Sequence, residues 1–128
     1  LSLSLSPNLS PRIYVDDVAA LRKAADIKGL VHVTGGGLPE NLPRVLPKKG
    51  AGLTLRIQRS SWTVPAMFRW MQSSGRVADA EMFRTFNMGV GMVAFVAAGD
   101  AEKAVGAVEG AWVLGEVVAG GEGSVELV

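Results

Sequence analysis

Apolar residues never run on for long in this chain. The longest unbroken stretch of apolar residues and glycine, 88–99, has 12 residues, and a membrane-spanning helix needs about 20, so no transmembrane segment is predicted. What remains is a series of short segments whose apolar spacing switches between the strand period of two and the helical period near 3.6. They are separated by 16 glycines and 6 prolines. Such a pattern layers helices against a sheet within one domain, which 128 residues can support. With 48% hydrophobic and 20% charged residues the chain is too apolar for disorder and too mixed for a coiled coil. The absence of cysteine excludes a disulfide scaffold, a thiolate zinc site and a thiol nucleophile. A single histidine excludes a multi-histidine metal centre, and no metal ligand set is assigned.

The spacing predicts the order α-β-α-β-α-α-β-α-β with a short last strand. Asp16 and Asp17 suit a helix start by side-chain capping and by the dipole. Val18, Leu21 and Ala25 follow at helical spacing, and Gly29 is expected to end that helix. A strand over 30–34 leads to the loop Gly35-Gly36-Gly37, and Pro43 limits the next helix to a turn or two. A strand over 52–57 is followed by a helix opened by Pro65, whose Met67, Trp70 and Met71 stripe is expected in the core. Helix 78–85, strand 89–96, a helix capped by Asp100, strand 111–118 and strand 125–128 complete the pattern.

Charge is uneven. Residues 1–76 hold 11 basic and 4 acidic groups, a balance of +7, and residues 77–128 hold 2 and 8, a balance of −6. The sum is +1, a solvated surface more than a partner site, and nothing in it favours nucleic acid. The first residues alternate Leu and Ser with strand period, then meet Pro7 and Pro11. The expectation is an irregular arm over 1–10, disordered or pairing to an edge, and a domain over 11–128. A Ser-rich, acid-poor leader also resembles the tail of an organellar transit peptide, so the compartment is read as cytoplasmic or organellar (plastid or mitochondrion), not secreted.

Chemical character concentrates in 30–44. In a strand, Leu30, His32 and Thr34 share one face, with Val31 and Val33 on the other. The only imidazole and a hydroxyl therefore point the same way directly before three glycines, which let a ligand approach backbone N–H groups. The loop enters a helix start bearing Glu40 and Asn41, with Arg44 beyond, a pattern suited to a polar or anionic ligand at a helix N-terminus. Glu40 would repel a phosphate there, which favours a ribose, an amide or a metal-bound water. The bland alternative, a glycine turn beside a hydrogen-bonded core histidine, has equal weight. The triple glycine lacks both the P-loop and the G-x-G-x-x-G spacing. A second element is Arg84-Thr85-Phe86-Asn87-Met88-Gly89-Val90-Gly91-Met92, in which Asn87 suits a left-handed helix cap. Gly89 and Gly91 leave one strand face open, either to a ligand or to tight packing. Trp62 and Trp112 read as packed residues.

The run His32-Val33-Thr34-Gly35-Gly36-Gly37-Leu38-Pro39-Glu40-Asn41-Leu42-Pro43-Arg44-Val45-Leu46-Pro47 resembles the signature of the phosphoribosylformylglycinamidine cyclo-ligases, the AIR synthetases. Arg12-Ile13-Tyr14-Val15, Phe68-Arg69-Trp70, the 84–92 element and Trp112-Val113-Leu114-Gly115-Glu116-Val117 match in order. The resemblance implies an α+β fold, a layered α/β sandwich like the C-terminal domain of that family and partly ferredoxin-like, truncated on its N-terminal side. It implies ATP-dependent closure of formylglycinamidine ribotide to aminoimidazole ribotide in purine synthesis, by Mg-dependent homodimers. His32 would handle protons or orient the amide, Thr34, Gly35, Gly36, Gly37, Glu40, Asn41 and Arg44 would face the substrate cleft, and Asn87 would support its wall as part of the substrate-binding set.

The family's ATP-binding half has no counterpart here, nor does the first strand and helix of the C-terminal domain. The stretch 99–110 is also shorter than the family's, which implies a clipped last helix. The implied cofactors are therefore ATP and Mg for the family and none for this chain alone, which is not expected to catalyse the reaction by itself. A protein partner is expected over the truncated sheet edge: the missing half, a homodimer mate, or a larger assembly. The alternative reading is a non-catalytic structural subunit derived from an AIR synthetase, with residues 1–6 pairing to a neighbour. A third is a small regulator that keeps the glycine cleft for a ribotide.

Overall fold

The computed structural model describes residues 2–5, 12–47, 52–121 and 123–128. In chain order the main elements are β1 (Ser2–Leu5), α1 (Val15–Ala24), β2 (Ile27–His32) and α2 (Gly37–Asn41), which runs into a 3₁₀ turn (Leu42–Val45). Then come β3 (Leu53–Ile57), α3 (Ala66–Gly75), α4 (Asp79–Thr85), β4 (Met92–Val96), α5 (Ala101–Ala107), β5 (Ala111–Ala119) and β6 (Val125–Leu127). The strands form one sheet in the order β2-β4-β1-β5-β3-β6. Every pairing is antiparallel except β3 with β6.

Strand alternation divides the apolar residues between two cores. On one face Val31, Val33, Leu55, Ile57, Val93, Phe95 and Leu114 meet α2, the 3₁₀ turn after it and α4 through Leu38, Leu42, Met82 and Phe83. On the other, Ala94 and Val96 meet Leu21 of α1 and Ala104 and Val108 at α5. Helices thus cover both faces, and the layered α+β sandwich read from the sequence is the architecture observed.

Several expectations need correction. Ser2–Leu5 is no part of an irregular arm. It is a strand in the middle of the sheet, paired with β4 on one side and β5 on the other. Both of its neighbours belong to this chain, so over Ser2–Leu5 the ladder expected to join another molecule is satisfied internally, and the sheet edges are β2 and β6. The rest of the expected arm lies outside the described residues. Gly29 does not end α1. That helix stops at Ala24, the chain turns extended at Ala25, and Gly29 sits inside β2 with Val45 close above it. Neither Asp16 nor Asp17 caps by side chain: Tyr14 holds the N-cap of α1, and Asp17 instead takes two hydrogen bonds from Arg12, from Nε and Nη2, each at 2.8 Å. Asp100 occupies the N-cap of α5 without a capping bond and lies 3.7 Å from Lys103. Helix α5 is seven residues long, Ala101–Ala107.

The α3 stripe is also displaced. Trp70 is 68% exposed and Met67 45% exposed. Two apolar stripes share Met71 on this helix, and the one containing Phe68 faces inward, where its ring tilts against Phe86 with centroids 5.6 Å apart. A rotation of about 100° per residue then carries Met67 and Trp70 toward water. Trp62 and Trp112 pack as expected; Trp62 Nε1 donates to the Met88 carbonyl at 3.0 Å and Trp112 Nε1 to Ser61 Oγ at 3.3 Å. Among the described residues no helix is long and apolar enough to cross a membrane.

Candidate functional site

β2 delivers His32 to the end of the sheet and the chain then leaves it through Thr34. Val31 and Val33 are buried on one face of the run, while His32 and Thr34, alternating with them, are exposed on the opposite face. The core-histidine alternative is thereby excluded. His32 makes one aromatic contact, edge-on to Tyr14 with centroids 6.1 Å apart and planes at 65°, and no hydrogen bond to its ring among the described residues.

Asn41 organises the glycine turn. Its side chain is buried, and Nδ2 donates to the Gly37 carbonyl at 2.8 Å, with longer contacts to the carbonyls of Gly35 (3.2 Å) and Thr34 (3.4 Å). Its Oδ1 lies 3.5 Å from the Thr34 hydroxyl. A buried amide must be satisfied, and this one spends its donors on the loop backbone. Asn41 therefore shapes the cleft from beneath rather than lining it. Gly36 takes φ +96° and Gly37 φ +57°, a region open at little cost only to glycine.

The helix start expected to hold a ligand is covered. A Cβ built on Gly37 would strike the Phe83 carbonyl and lie 2.8 Å from that of Phe86. The backbone at the C-terminal end of α4 thus packs directly against the first residue of α2, and α2 is five residues long. The open stretch lies one step earlier. Nothing comes within 4 Å of a Cβ built on Gly35, and the N–H groups of Gly35 and Gly36 have no partner among the described residues. The Glu40 carboxylate stands over Gly36, 2.5 Å from a Cβ built there. Arg44 is exposed on the 3₁₀ turn and makes no ion pair among the described residues. Arg84 pairs with Glu81 at 2.8 Å, which raises its pKa, and Glu40 adds to the same field.

Asn87 does not take the left-handed conformation. That falls to Met88 (φ 53°) and Gly89 (φ 97°), while Asn87 Oδ1 accepts from the Gly89 N–H at 3.0 Å, a side-chain turn typical of asparagine. Both glycines of this element are closed by the chain itself. Pro65 packs over Gly89 and the Tyr14 ring over Gly91, so tight packing, not a ligand, explains them. The structure therefore brings His32, Thr34, Gly35, Gly36 and Glu40 to one open rim and places Asn41, Gly37 and Asn87 as support. Tyr14 is the residue at this rim to which no role was assigned; its place inside the Arg12–Val15 match was the available signal.

A family model described as AIR synthase related protein, C-terminal domain, matches residues 5–128. Curated relatives named phosphoribosylformylglycinamidine cyclo-ligase include proteins of Cupriavidus metallidurans (48% identical over 121 residues), Cupriavidus pinatubonensis (47%) and Methylobacillus flagellatus (46%). Each match covers 91% of this chain and 34% of the relative. The chain thus spans about a third of the length of these proteins. On the match over 5–128, it belongs to the AIR synthase related C-terminal domain family.

Proposed function

We propose that this chain supplies the substrate-side wall of a phosphoribosylformylglycinamidine cyclo-ligase, acting with an ATP-binding portion that lies outside the sequence described here. The observation that carries this reading is the open rim itself: an exposed imidazole with no hydrogen bond among the described residues, followed by two glycine N–H groups that have no partner among them. The names of relatives close to half identical support it.

In that reaction the formyl oxygen of the substrate is activated by ATP, a substrate nitrogen attacks the formyl carbon, and phosphate leaves. The part of this chain is local. His32, exposed and with no hydrogen bond to its ring among the described residues, accepts the proton released as the nitrogen closes the ring. The Gly35 and Gly36 N–H groups orient a substrate oxygen. Glu40, standing over Gly36, disfavours a phosphate there and accepts instead from a ribose hydroxyl or an amide. Thr34 adds a hydroxyl to the same rim, and Arg44 adds positive charge beyond it. Among the described residues no three His, Asp or Glu side chains converge as metal ligands. This donor set does not fit a metal ion, so no step is routed through one here, and Mg–ATP is assigned to the portion outside this chain.

A second reading, a non-catalytic subunit of a larger assembly, is favoured by the exposure of Trp70 and Met67 on α3. Reconstitution separates the two. The purified chain is mixed with the N-terminal two-thirds of the Cupriavidus metallidurans relative, and ATP-dependent formation of aminoimidazole ribotide is followed. Catalysis requires both parts, and His32→Ala lowers the rate by about 10²-fold or more, the scale of general acid–base catalysis. Turnover by this chain alone, or full activity of His32→Ala, overturns the proposal; no turnover from the folded mixture favours the subunit reading.

A further inference from the structure

We infer that Tyr14 is a positioning residue for His32, and that Gly91 is the seat that puts it there. Three observations meet at this point. The Tyr14 ring stands edge-on to the imidazole, 6.1 Å between centroids at 65°. On its other side it lies directly on Gly91, where a built Cβ would come within 3.0 Å of Tyr14 Cζ and closer still to the hydroxyl oxygen. The Gly91 backbone in turn accepts from the Val33 N–H at 2.9 Å, so the seat is tied to the residue following His32.

Tyr14 is itself fixed from both directions along the chain. Its carbonyl accepts from the Val18 N–H at 2.9 Å in the first turn of α1. Two residues earlier, Arg12 is clamped on the Asp17 carboxylate and reaches the Glu109 carbonyl at 3.3 Å. A half-buried aromatic ring held in this way limits the rotamers of an otherwise exposed histidine. The Tyr14 hydroxyl has no hydrogen-bond partner among the described residues, so the ring and not the hydroxyl does the positioning. Its mechanism is packing, and the absence of a side chain on Gly91 is what it depends on. Gly91 does not have a positive φ, so alanine there is allowed by the backbone and acts by displacing the ring.

The bearing of this coupling on catalysis rests on the reading of His32 given above, but the coupling can be measured without any substrate. His32 is the only histidine, so its imidazole proton resonances are unambiguous by NMR. In the parent chain, cross-relaxation between the Tyr14 and His32 ring protons is expected, with the His32 resonances displaced from those of a free imidazole. Tyr14→Phe retains both features. In the parent the His32 Hα–Hβ couplings show one dominant rotamer; Tyr14→Leu averages them toward those of a freely rotating side chain, and Gly91→Ala does the same, and weakens the cross-relaxation, while tyrosine is still present. The backbone amide spectrum confirms that each variant is folded; should Gly91→Ala fail that check, Tyr14→Leu against Tyr14→Phe decides. Unchanged His32 Hα–Hβ couplings in a folded Tyr14→Leu chain overturn the inference and leave the proposed role of His32 standing. Coupling as described, with a fully active His32→Ala in the reconstituted enzyme, overturns that role and leaves the coupling.

Discussion

Asn41 Nδ2 donates to the Gly37 carbonyl at 2.8 Å from a side chain that is 1% exposed. One amide thereby holds the backbone of a loop that has few other ties. The Gly37 N–H bond to the Thr34 carbonyl at 3.0 Å closes the same turn.

Asn41→Leu removes the donor and leaves buried loop carbonyls unsatisfied, a loss of about 1–3 kcal/mol. Asn41→Asp is expected to cost at least as much at neutral pH, since a carboxylate has no N–H to give and would face carbonyl oxygens. Urea unfolding of both variants checks this; a shift under about 0.5 kcal/mol, the range of a neutral surface change, would show that the loop holds its shape without the amide.

Gly37 and Gly35 are two residues apart and should respond oppositely to alanine. At Gly37 the backbone is left-handed and the added carbon meets the Phe83 carbonyl. Dihedral strain of about 1–2 kcal/mol adds to overpacking of about 1–3 kcal/mol. At Gly35 the added carbon enters open space, so stability stays within about 0.5 kcal/mol while ligand approach to the loop is narrowed. Thermal unfolding of the pair, together with the reconstituted rate of Gly35→Ala, checks both halves.

The inward face of α3 is tested by Phe68 against Trp70. Trp70→Ser leaves stability within about 0.5 kcal/mol because the ring is mostly in water. Phe68→Ala, which strips a ring packed on Phe86, costs about 2–3 kcal/mol, below the range for a fully buried phenylalanine. Equal losses in denaturant unfolding would return Trp70 to the core.

Burial raises the Tyr14 phenol pKa above its ordinary value, with the nearby Arg12 charge opposing the shift and Asp17 reinforcing it. The folded state therefore keeps its phenol proton at pH values where the unfolded chain has lost it. Stability linked to Tyr14 is complete below roughly pH 10, the unfolded value, and declines as pH rises through the folded one. Tyr14→Phe should remove that part of the decline. Unfolding midpoints between pH 9 and pH 11, roughly one unit either side of the free phenol value, compare the two chains; parallel curves would deny the link.

Most elements were legible because the apolar period fixes both their type and their buried face. The alternation through Val31, His32 and Val33 predicted which residues would be covered and which exposed. What stayed illegible has common physical causes. Two stripes on α3 were equally apolar, and only the position of Phe86 decides between them. The start of α2 looked open in sequence because the α4 carbonyls that fill it come from more than forty residues away. Gly91 reads as a vacancy until Tyr14 is placed on it. The four residues of β1 showed the right period, yet nothing local says that a strand so short belongs at the middle of a sheet.

That placement of β1 bears on how the molecule assembles. The first strand in the chain pairs only with strands near its far end, among the most distant contacts the sequence allows, and contacts of that kind form late and slow a domain's folding. During synthesis β1 emerges ahead of both partners and stays unpaired until β4 and β5 follow it. Until then both of its borders face water and invite any passing β-segment.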